Sequence, residues 1–273
     1  MSLMRLVFDN SAFADLAQKP EFLDSLTRLK RLSTDSRIEV IGSCTLLQEL
    51  SGLARSDARM YLATLAEYEE LIRGKILKAS RDILIEEGEN LKPLPFEKSL
   101  LDERSVENFL DNLHDPSLAQ ELFGEVGSLK HKYGETTEGA SVKLLALPEM
   151  INATSKEIAK GYKEWFEDFP KNIQGWFEDL FELTSAFNVS DLPHVAAFLG
   201  YSLTRYYERM TFGKKHTPND LFDRYHFTDA VVVDILVTND GPFITTAMRI
   251  PNKSVDIMNL ADLCQLIDQM HAR

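Results

Sequence analysis

An α/β fold with a parallel sheet, interrupted by a long helical insertion, is what this sequence predicts. Three observations carry that expectation. First, "LVF" at 6–8 is a short apolar run that turns polar at Asp9, Asn10 and Ser11, and a helical periodicity follows from Phe13 to about Leu32. That succession is the strand–turn–helix rhythm of alternating folds. Second, the rhythm returns near the other end, in "VVVDILVTN" at 231–239 and "SVDIMNL" at 254–260. Third, residues 89–205 between these halves carry helical periodicities and turn signals such as "HDP" and "KYG", with little that reads as a strand.

Taken in order, the elements justify themselves by local chemistry. "RIEVIGS" at 37–43 supplies a second strand, Ile38 to Ile41, stopped by Gly42 and Ser43. Ser43 or Thr45 can cap the next helix, which carries Glu49 in "CTLLQEL". A longer helical pattern runs through "ARMYLATLAEYEELI" at 58–72, and "GKILKA" at 74–79 offers a short third strand. After the insertion, "TPNDLFDRYHFTDA" at 217–230 reads as a helix opened by Pro218 and Asn219. "ADLCQLIDQMH" closes the pattern with Leu263, Leu266, Ile267 and Met270 on one helical face. The expected division is therefore 1–88 and 206–273 as two halves of one α/β domain, with 89–205 as an all-helical insertion.

Charge is unevenly spread. The insertion holds 20 acidic and 11 basic residues, a net of −9 out of −13 for the chain. Such a balance counts against indiscriminate binding of duplex nucleic acid, though not against a local basic patch or a carboxylate site built around a cation. Within the insertion, "WFEDF" at 165–169 and "WFEDLF" at 176–181 form a near-repeat. Its aromatics make either a local core or a patch for a homo-oligomer or protein partner. Cys44 and Cys264 both sit in apolar helical patterns, which suits reduced thiols. No run of about eighteen apolar residues occurs, and the first residues lack the features of a secretory leader. The expectation is a cytoplasmic protein with no membrane partner.

The carboxylates carry the chemistry. In an open parallel sheet, ligands gather at the carboxyl ends of the strands. Asp9 follows the first strand, Glu49 lies on the helix after the second, and Asp240 follows the strand that ends "VTND". Asp220 and Asp223 share a helix face at i, i+3 spacing in the helix that leads into that strand. Like charges so gathered either protonate or hold a cation. Oxygen donors without a Cys/His pattern point to Mg²⁺ or Mn²⁺, not zinc. Divalent ions held by carboxylates activate water and clamp a phosphodiester for in-line attack.

Those same segments, "LVFDNS", "LLQEL" and "NDLFDRYHFTDAVVVDILVTND", resemble the PIN-domain nucleases. The resemblance covers roughly 4–85 and 206–270 and does not extend to the insertion. It implies a metal-dependent nuclease, acting on single-stranded RNA or other nucleic acid, with a parallel sheet and a quartet of acids. Carried over, Asp9, Glu49, Asp223 and Asp240 stand for that quartet, and Asp220 competes with Asp223 for third place. Thr238 matches the hydroxyl of the family's "T-x-D" strand end, with Asn239 between it and the last acid. Ser11 matches the small polar residue after the first acid.

Other residues are read both ways. His226, one turn beyond Asp223, either touches substrate or packs as an ordinary helix residue. Asp229 is open in the same sense, and Asp234 reads as structural. "RYYERMTFGKKH" at 205–216 sets Arg205, Arg209, Lys214 and Lys215 among aromatics just before the acid-bearing helix. It either tracks a single-stranded backbone or is a solvated helix and loop. Two rival functions stand beside the nuclease. One is a non-catalytic PIN-like interaction module. The other is a Mg²⁺-dependent phosphohydrolase of a small phosphorylated substrate. An aspartyl-phosphate enzyme would carry Asp where this chain has Ser11, and a dinucleotide-binding turn would need glycines that "DNSAFAD" lacks.

Overall fold

A computed structural model describes residues 3–122, 160, 164, 168, 171–175, 178, 188–214, 217, 219–251 and 253–271. Its centre is a parallel sheet flanked by helices. Strand β1 (Met4–Phe8) lies between β2 (Ile38–Val40) and β5 (Ile235–Val237), and β6 (Asp256–Met258) pairs with the far side of β5. All these pairings are parallel, with Leu6 opposite both Val40 and Ile235. A second pair, β3 (Gly42–Ser43) with β4 (Ile76–Leu77), is parallel too.

The two sheets are one surface with a step in it. Ile41 N donates to Leu6 O at 2.8 Å, and Gly42 N donates to Lys75 O at 2.7 Å. The chain thus leaves β1 and takes up β4 within two residues, so the strand order reads β4, β3/β2, β1, β5, β6. The step needs glycine. A Cβ on Gly42 would lie 3.1 Å from Lys75 O, Ile72 and Ile76.

The second half of strand β1, Leu6 to Phe8, is apolar because both of its faces are covered. Leu6, Val7 and Phe8 are fully buried. Leu6 and Phe8 join the cluster formed with α1 (Asn10–Gln18), α2 (Leu23–Thr34), α3 (Cys44–Ser56), α4 (Ala58–Ile72) and the closing helix at Leu260–His271. Val7 points the other way, into a cluster with Phe227, Leu236 and Phe243. That alternation is the period-two rule of a strand, and it explains why parallel strands read as continuous apolar runs. Burying one such side chain contributes roughly 1.5–3 kcal/mol.

Residues of the expected helical insertion share both cores. Helices α5 (Ser80–Asn90), α6 (Phe96–Ser99), α7 (Glu103–Leu113) and α8 (Pro116–Leu122) follow β4. Val106, Leu113 and Ala119 join the Leu6 side, while Leu94, Val189, Leu192 and Tyr201 join the Val7 side. Leu100 makes an antiparallel bridge to Leu77, so this segment caps the edge of the sheet without entering its centre. Helix α9 (Pro193–Phe212) runs through the expected boundary at 205/206. It packs against α10 (Asp220–Asp229) and α11 (Gly241–Arg249). Trp165 and Trp176 of the near-repeat lie outside the described residues. Cys44 and Cys264 are free thiols. Burial first, then the charges of Asp229 and Asp82, push the Cys44 thiol up to about 12. Among the described residues no helix is long and apolar enough to cross a membrane.

Two buried carboxylates fasten these helices. Helix α9 begins at Pro193 with no side-chain cap of its own. Glu87 of α5 supplies one from outside. Its Oε2 accepts from Val195 N at 2.9 Å, and its Oε1 accepts from Leu94 N and from His194 Nδ1, both at 3.1 Å. Asp229, also buried, accepts from Ser80 at 2.6 Å and Thr45 at 2.8 Å, joining α10 to α5 and α3. Glu87→Ala is expected to lower stability by about 2–4 kcal/mol in urea unfolding, because three donors lose their acceptor in an apolar core. Its neighbour Glu86 forms only a partly exposed pair with Lys78. Glu86→Ala should cost less than about 1 kcal/mol. Equal losses in the two variants would remove the capping role of Glu87.

Candidate functional site

The carboxyl ends of β1 and β5 meet at one edge, on either side of the point where the strand order reverses. Asp9 and Asp240 each end a strand approach and begin a helix. Asp9 Oδ1 accepts from Ala12 N at 2.8 Å, capping α1. Asp240 Oδ1 accepts from Phe243 N at 2.8 Å, capping α11. Both acids therefore have a local reason to be there, since a carboxylate satisfies exposed helix N–H groups. Ser43 does the same for α3 by accepting from Leu46 N.

Thr238 binds the two ends together. Its hydroxyl donates to Asp9 Oδ2 and accepts from Asp240 N at 3.0 Å. Ser11 repeats the pattern, donating to Asp9 at 2.9 Å and accepting from Asn239 N at 3.1 Å. Asn239 is itself fixed, donating to Asp15 at 2.9 Å and accepting from Leu260 N at 3.0 Å. The Asp9 carboxyl is pushed above its ordinary range by burial. The charge of His226 and the hydrogen bonds from Thr238, Ala12 and Ser11 oppose that push without cancelling it.

Glu49, on α3, meets His226, on α10. His226 Nε2 donates to Glu49 Oε2 at 2.9 Å, and the histidine is 2 % exposed. Burial works against a charged imidazolium here. The hydrogen bond and charge of Glu49, with Asp9 and Asp229 nearby, outweigh it and raise the histidine. His226 thus ties α10 to α3 beside the acids.

Asp223 differs from its neighbours, for it caps nothing. Its hydrogen bond is a long one from Tyr201 Oη, at 3.4 Å. Burial pushes its carboxyl up to about 7, and the charges of Asp240, Asp220 and Glu49 add to the push while His226 opposes it. An acid that shares a proton at neutral pH beside other carboxylates is one whose charge lacks compensation.

Asp220 turns elsewhere. Both of its oxygens accept from Arg205 Nη2 at 2.8 Å, and it also accepts from Thr217 N and Oγ1. Arg205 in turn binds Glu208 at 2.8 Å, and Lys214 binds Glu208 at 3.0 Å. The basic stretch before α10 therefore directs Arg205 into a buried ion-pair network and not toward solvent. Lys215 lies outside the described residues. Asp234 is structural, accepting from Arg5 N at 2.7 Å.

The structure thus brings Asp9, Glu49, Asp223 and Asp240 to one edge with Ser11, Thr238 and His226, and ties Asp220 into an ion pair. Among the described residues, no group of three or more His, Cys, Asp and Glu side chains is disposed to hold one metal ion directly. Magnesium is normally bound through one or two carboxylates with several waters retained, so a compact all-protein cage is not its requirement. Tyr201 and Glu208 went unseen in the sequence as parts of this neighbourhood, and Asp229, left open there, proves to be a buried link between helices. Tyr201 and Glu208 lie on a helix whose pattern gives no sign of which elements it packs against. No protein-family model matches this chain, and neither a curated protein nor a solved structure does.

The Asp223 shift has a definite sign. A carboxyl raised in the fold binds more protons than in the unfolded chain, so stability falls as pH rises from about 4 to about 7 and then levels off. In chelator, Asp223→Asn should be more stable than the wild type at pH 8, by on the order of 2 kcal/mol. The gap should close toward pH 4. Urea midpoints across that range measure it, and a gap independent of pH would show that Asp223 carries no such strain.

Proposed function

We propose that this protein is a divalent-metal-dependent nuclease of PIN-like fold that hydrolyses phosphodiester bonds in single-stranded nucleic acid, RNA before DNA. The observation that carries the reading is the uncompensated Asp223 carboxyl, pushed up to about 7 beside Asp240 at the strand ends. A cation between those two acids relieves their repulsion, and the position is where ligands of parallel sheets bind. The resemblance of "LVFDNS" and "NDLFDRYHFTDAVVVDILVTND" to PIN-domain nucleases supports the same assignment.

In this reading Asp223 and Asp240 would hold a Mg²⁺ or Mn²⁺ ion, with Asp9 and Glu49 as the remaining acids of the site. When bound, the ion activates water and neutralises the leaving oxygen. The chain's own groups prepare that chemistry. Thr238 and Ser11 fix the Asp9 carboxylate, so it needs no reorganisation. His226 orients Glu49 through its hydrogen bond, as an outer hydrogen-bond partner does. Asp223 gives up its proton when a cation arrives, so ion binding strengthens as pH rises toward 7. Tyr201, nearly fully buried, orients the Asp223 oxygen and has its own hydroxyl proton held well beyond the usual range by burial.

Purified protein should melt at a higher temperature in Mn²⁺ than in chelator, by linkage, and should cut a single-stranded RNA only with metal. Asp223→Asn is the informative variant because it removes no helix cap. It should abolish the metal-dependent rise and slow cleavage by on the order of a hundredfold or more. Glu49→Gln should also slow cleavage while keeping part of the metal-dependent rise. Cleavage by Asp223→Asn at the wild-type rate would overturn the nuclease reading. A wild type that neither gains stability with Mn²⁺ nor cuts would leave the non-catalytic interaction module in its place.

A further inference from the structure

Glu208 lies fully buried on α9, and its two oxygens divide their partners. Oε2 accepts from Arg205 Nη1 and from Thr246 Oγ1, each at 2.8 Å. Oε1 accepts from Lys214 Nζ at 3.0 Å and from Arg249 Nη1. Arg205 also holds both oxygens of Asp220. Among the described residues the network joins three cations and two carboxylates, one positive charge in excess. That excess faces outward. The Lys214 and Arg249 side chains are each 34 % exposed, whereas Glu208 is 0 %.

Two cationic heads on one carboxylate oxygen sit side by side, held by a buried anchor. Their loss of freedom is met in the folding of the chain, which lowers the cost of meeting a ligand. Burial and the charge of Arg205 push the Lys214 ammonium below its ordinary range, despite the pull of Asp220. An anion arriving there would relieve it. Beside the pair, the Arg249 guanidinium lies 4.9 Å from the ring centre of Phe212, which is 53 % exposed. The pair is also tied to the acid site by rigid elements. Helix α11 starts after Asp240 and ends at Arg249, nine residues or roughly 13 Å away. Asp220, held by the same network, lies one turn before Asp223.

We propose that Lys214 and Arg249, anchored on Glu208, form a clamp for a backbone phosphate of a single-stranded nucleic acid, with Phe212 receiving an adjacent base. A phosphate next to an exposed aromatic ring is the pairing that single-strand sites use. In a chain of net charge −13, this local excess sets where a polyanion can lie. The clamp rests on the nuclease reading for its purpose, because it would hold the strand that the acids cut.

The test separates the two. Affinity for a labelled single-stranded oligonucleotide is measured by anisotropy in chelator, across salt concentrations, for wild type, Lys214→Ala, Arg249→Ala, the double variant and Phe212→Leu. Each single cation variant should bind roughly three- to tenfold more weakly, and the slope of log affinity on log salt should fall by about 0.7 per lost contact. Phe212→Leu should weaken binding without changing the slope. Inorganic phosphate and a mononucleotide serve as competitors, and the mononucleotide should compete better. Urea midpoints confirm that each variant is folded, and the slope is read only from folded protein. A double variant with unchanged affinity and slope overturns the clamp, as does a wild type that does not bind. In Mn²⁺, the cleavage rate at saturating strand reports on the acids and KM on the clamp. Cutting with an unchanged KM in the double variant would sink the clamp and leave the nuclease standing. A changed slope without any metal-dependent cutting would do the reverse.

Discussion

Parallel pairing of β1 with β5 is the constraint from which the rest of this structure follows. Two parallel strands in register must finish on the same side of the sheet. Phe8 stands opposite Val237, and Asp9 N donates to Val237 O at 2.9 Å. The next residues of both strands therefore meet, although well over two hundred positions separate them in the chain. Thr238 and Ser11 exploit the meeting with hydrogen bonds that cross it. Burial of β1 on both faces is what holds the register, because a slip by one residue would exchange the side chains of its two cores.

The same edge is where the helices begin, and helix starts need acceptors. Asp9 and Asp240 meet that need as caps, and in doing so they place carboxylates side by side. One acid at such an edge is inexpensive. Several together are not, and the structure shows three ways of managing them. Hydroxyls and amides surround Asp9, a histidine is set against Glu49, and Arg205 takes Asp220. Asp223 receives none of these, only a long bond from Tyr201. A strain left in one place, when its neighbours are relieved, is the kind that function explains better than folding does.

The middle of the chain is more closely joined to the sheet than its composition suggests. Helix α9 supplies Tyr201 to the acids and Glu208 to the network that fixes the start of α10. Glu87 caps α9 from α5, and Asp229 closes α10 onto α3 and α5. Position of the acids thus depends on residues that never touch them. Each of these fasteners is a buried carboxylate with its hydrogen bonds made, which costs little when intact and much when one partner is lost.

The sequence by itself determined the parallel α/β class, the order of its strands along the chain, and the positions of Asp9, Glu49, Asp223 and Asp240 after or beside strand ends. It did so because short-range physics decides these things: apolar runs of four to five residues must be buried, and helices open on acceptors. "DILVTND" ends on a hydroxyl and a carboxylate for both reasons at once. Other matters belonged to the tertiary structure alone. Asp220 and Asp223 are equivalent in spacing, and only the approach of Arg205 from another helix separates them. Residues 205–216 read as a basic surface until Glu208, polar in sequence and fully buried in space, turns Arg205 inward and holds Lys214 at its edge. His226 and Asp229 acquire their partners from helices far away in the chain. Long-range contacts leave no periodicity in a sequence, because a polar side chain looks the same whether water or a buried carboxylate awaits it.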